Sequence, residues 1–275
     1  MDIGRLGRLG VWESRQAKWL AAPDALTELE ELGFGALWVG GSPPADLAFP
    51  EELLARSGRL VIATGIVNVW DAPPDATAAS FQRISSDRLL LGIGAGHRAH
   101  TGDAYVRPYE KLVAYLDALD AGGVPKEARA LAALGPRVLR LAADRTAGAH
   151  PYLVTPEHTA QAREILGAGV LLAPEQKVVL ETDPDTARGI ARERLGPYLA
   201  LENYTNNWRR LGFTDADLAG GGSDRLVDAM VVWGDEEAIR ARVADHHAAG
   251  ADHVAVQVLD SDKRATLRRL AAALA

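Results

Sequence analysis

A chain of 275 residues with a net charge of −7, 48% hydrophobic and 24% charged, has an ordinary globular composition and no basic footprint for nucleic acid. The absence of cysteine removes disulfides, thiolate metal sites and cysteine nucleophiles together. Residues 1–9 carry no sustained apolar run of signal-peptide type, and no apolar stretch reaches the ~18 residues of a membrane span, so a cytoplasmic protein without a membrane partner is expected.

At ~150 residues per domain the length suggests two units, yet barrels of roughly 250 residues fold as one. The order of elements separates these cases. Residues 9–12 read as a short strand, and 23–32 as a helix with Pro23 at its start and Gly33 past its end. A second strand follows at 36–39 and a helix at 46–57. Residues 60–69 form a long β-branched third strand with an irregularity at Gly65, followed by a helix at 74–86. The fourth strand spans 89–94 and its helix 108–120. The alanine-rich stretch 130–133 is a strand by context only, before a helix at 136–144. The sixth strand, 148–154, ends where Thr155 can cap a helix that has Pro156 at its first position. A seventh strand at 177–181 precedes a helix at 183–195 and two more at 201–211 and 224–230. An amphipathic helix at 236–249, an eighth strand at 253–259 and a helix at 263–274 complete the chain.

Eight strand–helix units in succession predict an α/β protein with parallel strands joined by helical crossovers. They favour a single closed (β/α)8 TIM barrel over an open doubly wound sheet. No linker rich in Pro, Gly or Ser divides the chain, so one domain over 1–275 is expected; the run Gly220, Gly221, Gly222 is the most flexible-looking segment.

In such a barrel chemistry gathers at the C-terminal strand ends. These ends select Trp12, Gly40, Gly41, Asn68, Trp70, His97, Gly135, His150, Tyr152 and Gln257. The set is rich in glycine, histidine and aromatics and poor in carboxylates, which argues against paired-carboxylate hydrolysis. In Leu-Leu-Leu-Gly-Ile-Gly-Ala-Gly-His (89–97), Gly92, Gly94 and Gly96 fall on one face of a strand. That bare face admits a flat ring or another backbone, or else relieves crowding inside the barrel. Gly65, inside a β-branched run, marks a bulge, a close backbone approach or simple packing. Gly135–Pro136 and Thr155–Pro156 each join a strand end to a helix start, where free N–H groups seat a phosphate or are merely capped. His97 and His100 have i, i+3 spacing, but the helical H-E-x-x-H motif is absent and no metal site is expected. His246 and His247 read as surface or packing residues. Neither a G-x-S-x-G elbow nor a phosphate-binding P-loop occurs.

Taken together, Leu-Gly-Phe-Gly-Ala-Leu-Trp-Val-Gly-Gly (32–41), Ala-Thr-Gly-Ile-Val-Asn-Val-Trp (63–70) and Arg-Leu-Leu-Leu-Gly-Ile-Gly-Ala-Gly-His (88–97) resemble motifs of the luciferase-like monooxygenase family. Ala-Gly-Ala-His-Pro-Tyr-Leu-Val-Thr-Pro-Glu-His-Thr (147–159) resembles the branch that uses coenzyme F420. The resemblance runs along nearly the whole chain through the order and spacing of motifs. It implies a TIM-type barrel holding coenzyme F420, or alternatively FMN, at its mouth. A non-prolyl cis peptide at Gly65–Ile66 would lie beneath the ring. By motif position His97 would be the proton donor or a hydrogen-bond partner of ring or substrate. Gly65, Ile66, Asn68, Gly94, Ala95, Gly96, His97, Gly135, His150, Tyr152 and Thr155 would contact the cofactor, with its phosphate at residues 152–155. Trp12, Gly40, Gly41 and Trp70 would line the pocket of a small organic substrate. A homodimer, and a flavin or F420 reductase as electron source, are family-level expectations. One departure stands out: many relatives end the second strand with Ser-Asp-His, where this chain has Gly40-Gly41-Ser42-Pro43. Sugar-phosphate dehydrogenase chemistry is therefore not expected. The short segment after the seventh strand leaves the mouth open or closed by residues 198–222.

The expected activity is hydride transfer to or from the deazaflavin. The alternatives are an FMN-dependent two-component monooxygenase and a deazaflavin-binding barrel without turnover. A phosphate-binding isomerase would need a lysine or glutamate at a strand end, and none stands out.

Overall fold

The computed structural model describes residues 3–274. Among these, eleven strands form one parallel sheet: β1 (Leu9–Ser14), β2 (Ala36–Gly40), β3 (Val61–Gly65), β4 (Val67–Asn68), β5 (Leu89–Gly94), β6 (Arg129–Leu131), β7 (Gly148–Ala149), β8 (Leu171–Leu172), β9 (Glu175–Val179), β10 (Val231–Trp233) and β11 (Val254–Val258). Their order is β10-β9-β11-β1-β2-β3-β5-β6-β7-β8, with β4 beside β5. The sheet curls until its ends are contiguous in the chain, because only Ala173 and Pro174 separate β8 from β9. Ala173 N–H donates to Ala149 O at 2.9 Å, and Ala255 N–H donates to Pro174 O at 3.0 Å. Residues 171–179 thus join β7 to β11.

The architecture is barrel-like, as the strand–helix alternation predicts, but it is not a ring of eight equal strands. The third strand is split, the seventh position is shared by β8 and β9, and β10 adds a short ninth rung on the outer half of β9. The expected strand over 148–154 pairs only at Gly148–Ala149, because Pro151 offers no N–H and Leu153 takes a positive φ of 55°. The strand expected at 177–181 instead begins at Leu171 and ends at Val179. Its middle carries buried Glu175, Gln176 and Lys177, whose polarity disguises it.

Side-chain alternation divides the apolar residues into two layers. Val11, Leu37, Val39, Ile62, Leu89, Leu91 and Val256 pack outward against the helices. Trp12, Ala36, Trp38, Ala63, Leu90, Ala130 and Ala255 fill the interior. Small residues dominate that interior, which leaves room for the Trp38 indole stacked on His150 at 3.9 Å.

One register change shapes the mouth. Ile62 pairs with Leu89, an offset of 27, whereas Val67 pairs with Ile93, an offset of 26. Three residues, 64 to 66, therefore face two, 91 and 92, which is a β-bulge. The displaced Thr64 carbonyl occupies the space beside Gly92, where a Cβ would come within 1.8 Å of it. Ile66 turns over Gly94, where a Cβ would meet its side chain at 3.0 Å. The Gly92–Gly94–Gly96 face is thus occupied first by the neighbouring strand.

Two glycine substitutions should separate these roles in urea unfolding. Gly92→Ala is expected to lose about 3 kcal/mol or fail to fold, since backbone rather than a flexible side chain blocks the methyl. Gly189→Ala, within the helix Pro184–Leu195 with nothing near its Cβ position, should gain about 0.5–1 kcal/mol. Equal effects would contradict the bulge argument.

Candidate active site

The bulge opens onto a two-lobed cavity at the C-terminal ends of the strands. The first lobe, about 340 Å³, runs from Ile66, His97, His150 and Tyr152 out to Gly135, Asn206 and Arg210. The second, about 250 Å³, is bounded by Trp12, Gly65, Asn68, Tyr198, Leu201 and Tyr204. Ile66, Gly96, His97, Ala132, His150, Tyr152 and Tyr204 border both lobes. The Gly65–Ile66 peptide is cis, where the resemblance places such a bond.

Most of the residues expected at the site converge. Ile66, Gly94, Ala95, Gly96, His97, Gly135, His150 and Tyr152 line the first lobe; Trp12, Gly41, Gly65 and Asn68 line the second. Three stand apart. Gly40 makes room for the Trp12 ring, which a Cβ there would strike at 2.1 Å. Trp70 is tied back by its Nε1–H to Ala95 O at 2.7 Å and packs on Tyr105. Thr155 borders a separate cavity with Glu157, Arg242 and Asp245, and its Oγ1 accepts from the His158 N–H of its own helix. That geometry is the capping arrangement.

Burial keeps the imidazoles neutral. His97 is pushed down to about 4, first by desolvation and then by neighbouring His100. Its Nδ1 is buried without a partner, and its ring lies 5.2 Å from that of Tyr204. His150 is buried and falls to about 3, again through desolvation. The His150 Nδ1 lies 2.6 Å from Ala173 O, so Nδ1 carries the proton and Nε2, which has no protein partner, is an acceptor. The buried Nε1–H of Trp12 is likewise unpartnered. The cavity therefore presents a donor, an acceptor and an amphoteric imidazole, all uncharged. Buried polar atoms of this kind are ordinarily satisfied, so their orphaning at one cavity points to a ligand.

Sequence reasoning missed a second polar cluster. Lys177 and Glu175, both fully buried, pair at 3.0 Å beneath the Tyr152 ring. Lys177 Nζ also donates to Gln257 Oε1 at 2.8 Å. Desolvation lowers Lys177 to about 8 and raises Glu175, opposed in each case by the partner. A lysine and a glutamate do lie at a strand near the mouth, but they are spent on each other. Arg210, also missed, lies on the helix Glu202–Arg210, and its Nη2 is 3.8 Å from the Cβ position of Gly135. Among the described residues no ion pair holds Arg210, and desolvation alone lowers it. Asn203, Asn206 and Arg210 recur at helical spacing, a stripe that could have marked this face.

No family model and no curated protein sequence matches the chain. Solved structures do. An F420-dependent secondary alcohol dehydrogenase in complex with an F420-acetone adduct has a TM-score of 0.76 at 14% identity, covering 98% of this chain and 99% of that one. The coenzyme F420-dependent tetrahydromethanopterin reductase of Methanopyrus kandleri gives 0.68 at 17% identity, covering 96% and 97%. The oxygenating constituent of 3,6-diketocamphane monooxygenase from a Pseudomonas putida plasmid, in complex with FMN, gives 0.64 at 15% identity, covering 96% of each chain. The fold is luciferase-like. At the end of the second strand the Trp12 ring takes the space that a side chain at Gly40 would fill.

The neutral imidazoles make stability depend on pH. His150, His246 and His253 are held at about 3, 3 and 4 by burial. The unfolded chain binds protons at these sites from about pH 6.5 downward, so the native state loses stability as pH falls from there. Urea unfolding from pH 7 to 4.5 should show a decline on the order of 1 kcal/mol per pH unit for each histidine. A flat profile would mean these imidazoles are charged or exposed.

Proposed function

We propose that the chain is an oxidoreductase that holds coenzyme F420 in the first lobe and transfers hydride to or from a small organic substrate in the second. The observation that carries this reading is the polarity of the first lobe. Its inner end is uncharged and ring-lined, at Ile66, His97, His150 and Tyr152. Its outer end has a guanidinium, Arg210, that donates to Asn207 Oδ1 at 3.0 Å but is held by no ion pair among the described residues, beside a helix start at Gly135 that no side chain caps. A flat heterocycle on an anionic chain complements both ends. The solved neighbours named for F420 and for FMN support a cofactor of this class.

The residues fit such a group. Ile66 would support the ring from the bulge. The orphan His150 Nε2 would accept a ring N–H, and Arg210 with the N-terminus of the helix Pro136–Arg145 would hold the anionic chain. The cofactor supplies the hydride chemistry when bound. The chain would position it, with Tyr204 bordering both lobes and Leu201 the second. His97, neutral above about pH 4, would accept or share a proton at Nδ1 rather than serve as a resident acid.

Titrating intrinsic fluorescence with coenzyme F420, FMN and FAD in parallel tests the reading. Selective binding of the deazaflavin supports hydride transfer. Selective binding of FMN moves the reading to a two-component monooxygenase with a reductase partner, and binding of none overturns it. Arg210→Ala should weaken binding of the preferred cofactor by about tenfold or more, as loss of a charge-assisted contact. His97→Ala should lower turnover far more than cofactor affinity; unchanged turnover removes His97 from the chemistry.

A further inference from the structure

Among the described residues, no carboxylate, ammonium or guanidinium group lines the second lobe. A charged ligand there would lose hydration without gaining a counter-charge. Its wall is aromatic: Trp12 lies 5.1 Å from Tyr152 between ring centroids, Tyr152 5.7 Å from Tyr198, and Tyr198 5.2 Å from Tyr204. Shape and charge thus select a neutral molecule with substantial apolar surface.

Hydrogen bonding says more, because one chain of bonds has a fixed direction. The Lys177 ammonium has only donors, so the atom of Gln257 facing it at 2.8 Å must be the carbonyl oxygen. Tyr152 Oη lies 2.9 Å from that same oxygen, and two oxygens at this separation require a proton between them, which Tyr152 alone can supply. Its single proton is then committed. Tyr152 and Tyr198 hydroxyls are 3.0 Å apart, and that contact must use the proton of Tyr198. Tyr198 therefore has no proton left for the cavity it borders and can only accept there. Trp12, in the same lobe, can only donate.

We infer that the second lobe is built for a neutral, hydroxyl-bearing substrate whose O–H donates to Tyr198 Oη, with Trp12 Nε1–H offered to an acceptor oxygen in the same lobe. Lys177 and Gln257 act as positioning residues that keep Tyr198 an acceptor. The inference rests on the proposed function only in calling this lobe the substrate end; the binding preference itself belongs to the chain. A ketone of the same shape keeps the bond from Trp12 and loses the one to Tyr198.

Isothermal titration of the full chain with cyclohexanol and cyclohexanone tests this, both alone and with whichever cofactor binds. The alcohol should bind about three- to tenfold more tightly, the effect of one net hydrogen bond. Tyr198→Phe keeps the ring but removes the acceptor. It should bring the two affinities together by weakening the alcohol alone, with ketone and cofactor affinity unchanged. The inference is overturned if the ketone binds as tightly as the alcohol to the unaltered chain, if Tyr198→Phe weakens both alike or neither, or if neither probe binds at millimolar concentration. Failure of the cofactor titration with the alcohol preference intact would overturn the redox reading instead.

Discussion

One extra residue in the third strand organises the mouth of this barrel. In a regular strand Gly65 and Ile66 would face opposite sides of the sheet. With three residues set against two, both border the cavity, and Ile66 becomes the partition between its lobes. The bulge is possible only because the facing strand is bare where the displaced carbonyl and the Ile66 side chain arrive, at Gly92 and Gly94. A second pair of glycines extends the arrangement. Gly40 and Gly65 are register partners across β2 and β3, and the Trp12 indole lies against the space their missing side chains leave. Packing at four glycines thus sets where a nitrogen donor points.

The same interior explains the electrostatics. The barrel is narrow and mostly lined by alanine, tryptophan and histidine, so any charge inside it is poorly solvated. Each polar group there is neutral or internally paired. Trp38 Nε1–H donates to His253 Nε2 at 3.1 Å, and the His253 Nδ1 proton goes to Gly7 O at 2.9 Å. Lys177 and Glu175 neutralise one another. Among the described residues lining the first lobe, the one charge without an ion-pair partner is thereby at the rim, on Arg210, while the inner cavity offers dipoles.

Much of this was legible in the sequence, for identifiable reasons. Strand–helix alternation reports the parallel barrel-like sheet because each crossover needs a helix, and the alternate glycines with His97 mark the fourth strand end because side-chain period on a strand is two. What stayed hidden depends on contacts remote in sequence. Nothing local marks Glu175 and Lys177 as a buried pair until their contact is seen, and β10 is three residues long, too short for any periodic signal. Thr155 illustrates the opposite error: a cap signature is the same whether the helix start faces a ligand or only its own first turn, and here the Oγ1 is used by His158 N–H. Of the two roles open to His246, surface or packing, the structure shows packing: it is buried, bridging Thr159 and Gln176.

The segment that covers the mouth ties the two lobes together. Trp208, fully buried, anchors the helix Glu202–Arg210 by donating from Nε1 to Leu153 O at 3.2 Å, and Asn203 Nδ2 donates to Gly96 O at 3.1 Å beside His97. From that one helix Tyr204 borders both lobes and Arg210 closes the outer end of the first. Tyr198, on the turn just before it, borders the second lobe alone. Tyr198, Tyr204 and Arg210 therefore lie on one stretch of chain, tied to the fourth strand end through Gly96 O and to the sixth through Leu153 O.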